Sequence, residues 1–128
     1  MRHSESKLQS ECIRYFRLMH PTLAMNFFSI PNGVCTSATQ ARILVREGMT
    51  AGVADTFLAV PNSQYHGAFL EFKKEEIEWK EGWKHTSRGY QSRQQKTFQA
   101  YVEVQGYNYT IIRNFDEFTA FMRQYLNQ

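Results

Sequence analysis

A mixed α/β fold is predicted for this chain: a central mixed sheet flanked by helices, in the order α-β-α-β-β-α-β-α. Three observations carry it. Apolar residues recur at helical spacing in several separate stretches, and short apolar or alternating runs bounded by turn residues lie between them. Two of those runs, around Asp55–Leu58 and His66–Lys73, are joined by the short turn Pro61-Asn62-Ser63-Gln64, which suits an antiparallel hairpin. The next strand is reached through a helix, a crossover that makes the sheet mixed.

Each element has its own local reason. From Glu5 to Met19, residues Leu8, Cys12, Tyr15, Phe16 and Met19 form a helical stripe, with Ser4 as a plausible N-cap and His20-Pro21 as a stop. Met25 to Ile30 reads as a short strand ending at the turn signal Pro31-Asn32-Gly33. Ser37 to Glu47 reads as a helix, capped by Thr36 or Ser37 and stopped by Gly48. Small residues, Gly48-Met49-Thr50-Ala51-Gly52, lead into the Asp55 strand. Ser92 to Gln105 is a helix opened by a capping box, Ser92-Arg93-Gln94-Gln95, with Phe98, Tyr101 and Val102 as its apolar face and Gly106 at its end. Tyr107 to Arg113 alternates as a strand. Asn114 caps a last helix through Phe115, Phe118, Phe121, Met122 and Tyr125. Lys74 to Gln91 has no clear period: Trp79, Trp83 and Tyr90 are interleaved with eight charged residues. It reads either as a solvated loop or short charged helix, or as a flap that touches substrate or a second subunit.

Composition narrows the function classes. The 128 residues suffice for one domain, expected to span 1–128, and 42% hydrophobic with 15% aromatic content excludes a disordered chain. Fifteen Lys and Arg against twelve Asp and Glu give +3, a mild basic excess that permits a nucleic-acid partner without requiring one. Cys12 and Cys35 show no zinc-site spacing, and His3, His20, His66 and His85 are scattered. With no apolar leader and no long apolar run, a cytoplasmic protein with both thiols free is expected.

The chemistry concentrates in Gly52-Val53-Ala54-Asp55-Thr56-Phe57-Leu58 and Glu71-Phe72-Lys73. A pleated strand points Glu71 and Lys73 to one side. With a second acid on the neighbouring strand, this set can hold a divalent cation and activate a water, as a metal-dependent phosphodiesterase does. The motif is short and also arises by chance. Glu5 shares the apolar stripe of the first helix, and periodicity leaves two readings of it. It is either an acid that needs a partner such as a metal or a lysine, or a frayed first-turn residue favoured by the helix dipole.

The element order, an acid in the first helix, and Asp then Glu-X-Lys on a hairpin resemble the PD-(D/E)XK nuclease core. Ser4-Glu5-Ser6-Lys7-Leu8-Gln9, Ile30-Pro31-Asn32-Gly33, Gly48-Met49-Thr50-Ala51-Gly52-Val53-Ala54-Asp55, Leu70-Glu71-Phe72-Lys73 and Ser92-Arg93-Gln94-Gln95-Lys96 with Gly106-Tyr107 resemble the VRR-NUC (virus-type replication-repair nuclease) family over almost the whole chain, in its stand-alone phage or bacterial form. Ala54 departs from the proline common at that position. The resemblance implies that Glu5, Asp55, Glu71, Lys73 and Gln95 are the catalytic set. Asp55, Glu71, the Phe72 carbonyl and Glu5 would hold Mg2+ or Mn2+, and Lys73 would be the catalytic lysine. Gln91 and Gln94 are rival glutamines, and spacing from Ser92 favours Gln95. It further implies a DNA endonuclease acting on branched DNA, Holliday junctions among its candidate substrates, as a homodimer. By charge and position, Asn32, Arg42, Arg46, Lys74, Lys80, Lys84 and Arg88 are candidates for DNA-backbone contacts. A non-catalytic DNA-binding module on the same fold, or a nuclease for flaps or linear duplex, stays open as an alternative.

Overall fold

The computed structural model describes residues 3–31, 37–74, 76–87 and 89–128. Helix α1 (His3–Met19) leads through a 3-10 helix (Pro21–Asn26) into β1 (Phe27–Ser29), followed by α2 (Ala38–Arg46), β2 (Thr56–Leu58) and β3 (Ala68–Phe72). A ribbon of β4 (Glu76–Lys80) and β5 (Trp83–Ser87) precedes α3 (Arg93–Val104), β6 (Asn108–Ile112) and α4 (Phe115–Leu126). The main sheet runs β1-β2-β3-β6, antiparallel up to β3 and parallel between β3 and β6. The expected mixed sheet and its crossover helix are therefore present.

Alternation along the strands sorts the two faces. Leu58, Leu70, Phe72 and Ile112 join Phe27 in a core closed by Leu8, Cys12 and Phe16 of α1 and by Phe118, Met122 and Tyr125 of α4. On the other face Phe69 and Tyr109 meet Phe98 of α3 edge-on. The sheet thus lies between α1 and α4 on one side and α3 on the other.

Several elements differ from the sequence expectation. Ser4 lies inside α1 rather than capping it. Met19 and Tyr101 are exposed, because the stripes of α1 and α3 are narrower than their periodicity suggested. Met25 falls in the 3-10 helix, where Pro21 at the first turn fixes the backbone, so β1 is only three residues long. Ser37 caps α2 through its side chain, which accepts from Gln40 N–H; Thr36, the other cap candidate, lies outside the described residues, as do Asn32, Cys35, Glu75 and Arg88. The largest correction is Lys74 to Gln91, which forms neither a loop nor a helix throughout. It contains a two-stranded antiparallel ribbon whose register sets Trp79 opposite Lys84 and Lys80 opposite Trp83. The two residues between, Glu81 and Gly82, have φ of 53° and 78°, the left-handed pair of a type I′ turn.

Candidate active site

Three pieces of local structure build one cleft at the end of β2 and β3. The β2–β3 register, Thr56 opposite Leu70, continues one residue outward to set Asp55 opposite Glu71. Asp55 is held from both sides: its main-chain carbonyl accepts from Ile30 N–H, and its Oδ2 accepts from Phe72 N–H at 2.8 Å. The first turn of α1 brings Glu5 to the same end, where its Oε1 accepts from Lys74 N–H at 3.4 Å. The first turn of α3 supplies Gln95.

That turn is fixed by the sequence. In the capping box, Ser92 Oγ accepts from Gln95 N–H and Gln95 Oε1 accepts from Ser92 N–H at 2.8 Å. With its oxygen committed to the cap, the amide of Gln95 must present its nitrogen outward. Nε2 donates to Glu71 Oε1 at 2.7 Å. The cap and the site share one side chain, so the helix cannot start without orienting the donor. Gly52 allows the close approach that this requires. It has φ of 90°, and a Cβ there would overlap the main-chain carbonyl of Gln94.

Glu71 is buried, with both oxygens taken by neutral donors: Gln95 on one, the Tyr109 hydroxyl on the other. Tyr109 is in turn bonded by Gln91, whose Nε2 donates to Gln99 Oε1 at 2.9 Å. Neutral donors do not balance a buried charge. Burial pushes the Glu71 carboxyl up to about 7, with Asp55 and Glu5 adding to the rise while the Tyr109 bond and Lys73 oppose it. Burial also raises Asp55, and Glu5 adds to that; the Phe72 N–H and Lys73 pull the other way.

Glu5, Asp55, Glu71, Phe72, Lys73 and Gln95 all line this cleft of about 420 Å³, with Ala51, Gly52, Val53, Ser92 and Gln94 as the remaining wall. Every residue expected in the catalytic and metal set therefore converges. The DNA-contact candidates do not. Arg42 and Arg46 are exposed on α2, outside the cleft wall, and Lys80 and Lys84 are exposed on the ribbon. Lys74, two residues beyond β3, is exposed; Asn32 and Arg88 lie outside the described residues.

The donor set suits a hard divalent cation: the carboxylates of Glu5, Asp55 and Glu71 line one cleft, with Phe72 beside them. Among the described residues no group of three or more His, Cys, Asp or Glu side chains forms a ready metal cage. A divalent cation held there would need main-chain or water oxygens to complete its shell, as Mg2+ commonly does.

Sequence reasoning missed Tyr109 and the role of Gly52, and it weighed Gln91 only as a rival to Gln95, without its bond to Tyr109. Tyr109 reads as an ordinary core tyrosine of an alternating strand, and its link to Glu71 exists only because β6 pairs with β3. Gly52 had a local signal, a glycine three residues before Asp55, without anything to say what it approaches.

A search of solved structures places the chain beside a VRR_NUC domain protein. The TM-score is 0.76, the alignment covers 99% of this chain and 91% of that one, and the sequences are 18% identical. The chain has the VRR_NUC fold. No family model matches the sequence, and no curated protein matches it. The resemblance read from the motifs is thus borne out at the level of the fold, with the mixed sheet and flanking helices that it implied. No helix among the described residues is long and apolar enough to cross a membrane.

Proposed function

We propose that the chain is a Mg2+- or Mn2+-dependent endodeoxyribonuclease that hydrolyses phosphodiester bonds in branched DNA, Holliday junctions included, and works as a homodimer. One observation carries the reading: Glu5, Asp55, Glu71, Lys73 and Gln95, drawn from three separate parts of the chain, line a single cleft. Three acids line this one cleft, and burial raises two of them, an arrangement that supports a site for a bound ligand.

Asp55 and Glu71 would hold the ion with the Phe72 carbonyl, and Glu5 directly or through water. The chemistry supplied by such an ion, when bound, would be activation of a water and offset of the charge that develops on the phosphate. The chain's own groups do the rest. Gln95 and Tyr109 fix the Glu71 carboxylate from opposite sides, so its geometry does not depend on substrate. Lys73 lines the same cleft, where its side chain would orient the attacking water or offset charge on a non-bridging phosphate oxygen. Lys74, Lys80 and Lys84, interleaved with glutamates in a segment of balanced charge, would make individual contacts to the DNA backbone. Two copies would present two centres to the two strands cut in a junction. With no base-reading motif, shape rather than sequence is the expected basis of selection.

Cleavage of four-way junction, flap, single-strand and linear duplex substrates, with and without Mn2+, tests the reading. Metal-dependent nicking of the junction in preference to the duplex is expected. Binding without cleavage of any substrate would favour a DNA-binding module, and preference for flaps or duplex would move the substrate assignment.

A further inference from the structure

The β4–β5 ribbon is not needed to build the cleft, yet it is rooted there. Glu75 separates β4 from Lys74, and Gly89, just beyond β5, sits against the Lys74 carbonyl, the Lys73 side chain and Glu5. Its two strands form a sheet of their own, and among the described residues neither packs substantially on any other element. A lone two-stranded ribbon has little stability of its own in water. This one nevertheless carries both tryptophans of the chain, 69% and 74% exposed.

The register distributes them. Residues directly opposite in an antiparallel pair share a face, and neighbours along a strand alternate. Trp79 with Lys84 therefore lies on one face, and Lys80 with Trp83 on the other. Each face bears one aromatic plane and one ammonium next to the turn; the same register sets Glu76 and Glu78 at positions on the Lys80–Trp83 side, so Trp79 with Lys84 is the pair on the side without a glutamate. That pairing is the chemistry of single-strand binding: a π-surface for a base and a cation for its phosphate. It differs from a protein-docking face, which would gather the apolar groups on one side. The tight type I′ turn at Glu81-Gly82 keeps the tip narrow enough to enter between strands.

We propose that the ribbon is a two-sided stacking wedge, taking unpaired bases on Trp79 and Trp83 while Lys84 and Lys80 hold the adjoining phosphates. This deepens the DNA reading and rests on it: a wedge rooted at the cleft selects DNA with unpaired or separable strands and delivers the flanking duplex to Asp55 and Glu71.

Because Trp79 and Trp83 are the only tryptophans in the sequence, intrinsic fluorescence reports the wedge directly. The full chain is titrated in EDTA, so that no cleavage occurs, with an oligothymidylate, a splayed-arm duplex and a blunt linear duplex. Binding is followed separately by anisotropy of labelled DNA. Quenching by the single strand and splayed duplex, but far less by the blunt duplex, is expected. Trp79→Phe and Trp83→Phe should each retain part of the quench, since each leaves one reporting face. The double variant Trp79→Ala with Trp83→Ala should bind the splayed duplex roughly tenfold more weakly or worse, while its affinity for blunt duplex changes little. Binding without quenching, equal quenching by blunt duplex, or an emission change on concentrating the protein without DNA would overturn the wedge. The last result would assign the ribbon to a second copy of the chain. No binding of any DNA would overturn the functional reading as well.

Discussion

Replacing Glu71 with Gln should make the metal-free protein more stable while removing its activity. The carboxyl is buried and pushed up to about 7 from an ordinary 4.5. For an acid raised in the folded state, the contribution to stability is fully present below the unfolded value and is lost as pH rises through the folded value. Between pH 4.5 and pH 8 the shift amounts to about 3 kcal/mol against folding. Glutamine keeps the shape and avoids the charge. Its carbonyl can accept from Gln95 Nε2, and its amide can donate to the Tyr109 oxygen, which then turns its proton elsewhere. The variant should therefore gain up to about 3 kcal/mol at pH 8, or roughly 10 °C in midpoint for a chain of this size. The gain should vanish below pH 4.5. Urea denaturation of both proteins in EDTA at pH 4.5, 6 and 8 measures it. A variant less stable than the parent at pH 8, or a difference independent of pH, would refute the view that Glu71 is a strained charge held for a ligand.

Four further outcomes follow from the same geometry. Tyr109→Phe removes one donor from the ionised Glu71 and should cost about 1–3 kcal/mol at pH 8, with a lower single-turnover cleavage rate; an unchanged rate would remove Tyr109 from the site. Gly52→Ala must push α3 away from Asp55 and should cost clearly more than Gly48→Ala, where φ is also positive but a Cβ meets nothing within 4 Å; the pair compared by thermal melting separates crowding from backbone strain. Lys73→Ala should slow the chemical step and leave Mn2+ affinity by calorimetry nearly intact, because an ammonium is not a ligand. Burial, with Glu11 adding, pushes the Cys12 thiol up to about 12, so mass mapping after iodoacetamide treatment should find it alkylated only in denatured protein.

What was legible in the sequence was what depends on neighbours along the chain. The Ser92–Gln95 capping box needs only four consecutive residues, and it forms as read. The β2–β3 hairpin follows from two apolar runs and a short turn, and the hairpin register alone sets Asp55 beside Glu71. The ribbon escaped notice because its alternation sets charges against tryptophans rather than polar against apolar residues, so no face looked buried. Glu81-Gly82 was its one turn signal, weaker than Asn-Gly or Asp-Gly because glutamate pays more to enter the left-handed region. Tyr109 was invisible for a different reason. Its partner is 38 residues away, across a parallel strand pair. Gly52 shows the same limit: a glycine announces freedom of backbone, and only the fold says that the freedom is spent on letting Gln94 and Gln95 come close.

The measurement closest to the central claim is single-turnover cleavage of a four-way junction with Mn2+, comparing the parent chain with Asp55→Asn, alongside junction affinity and Mn2+ calorimetry. The account predicts nicking by the parent alone, Mn2+ binding lost or much weakened in the variant, and junction affinity largely kept. Cleavage by Asp55→Asn at the parent's rate, or unchanged Mn2+ affinity, would contradict it.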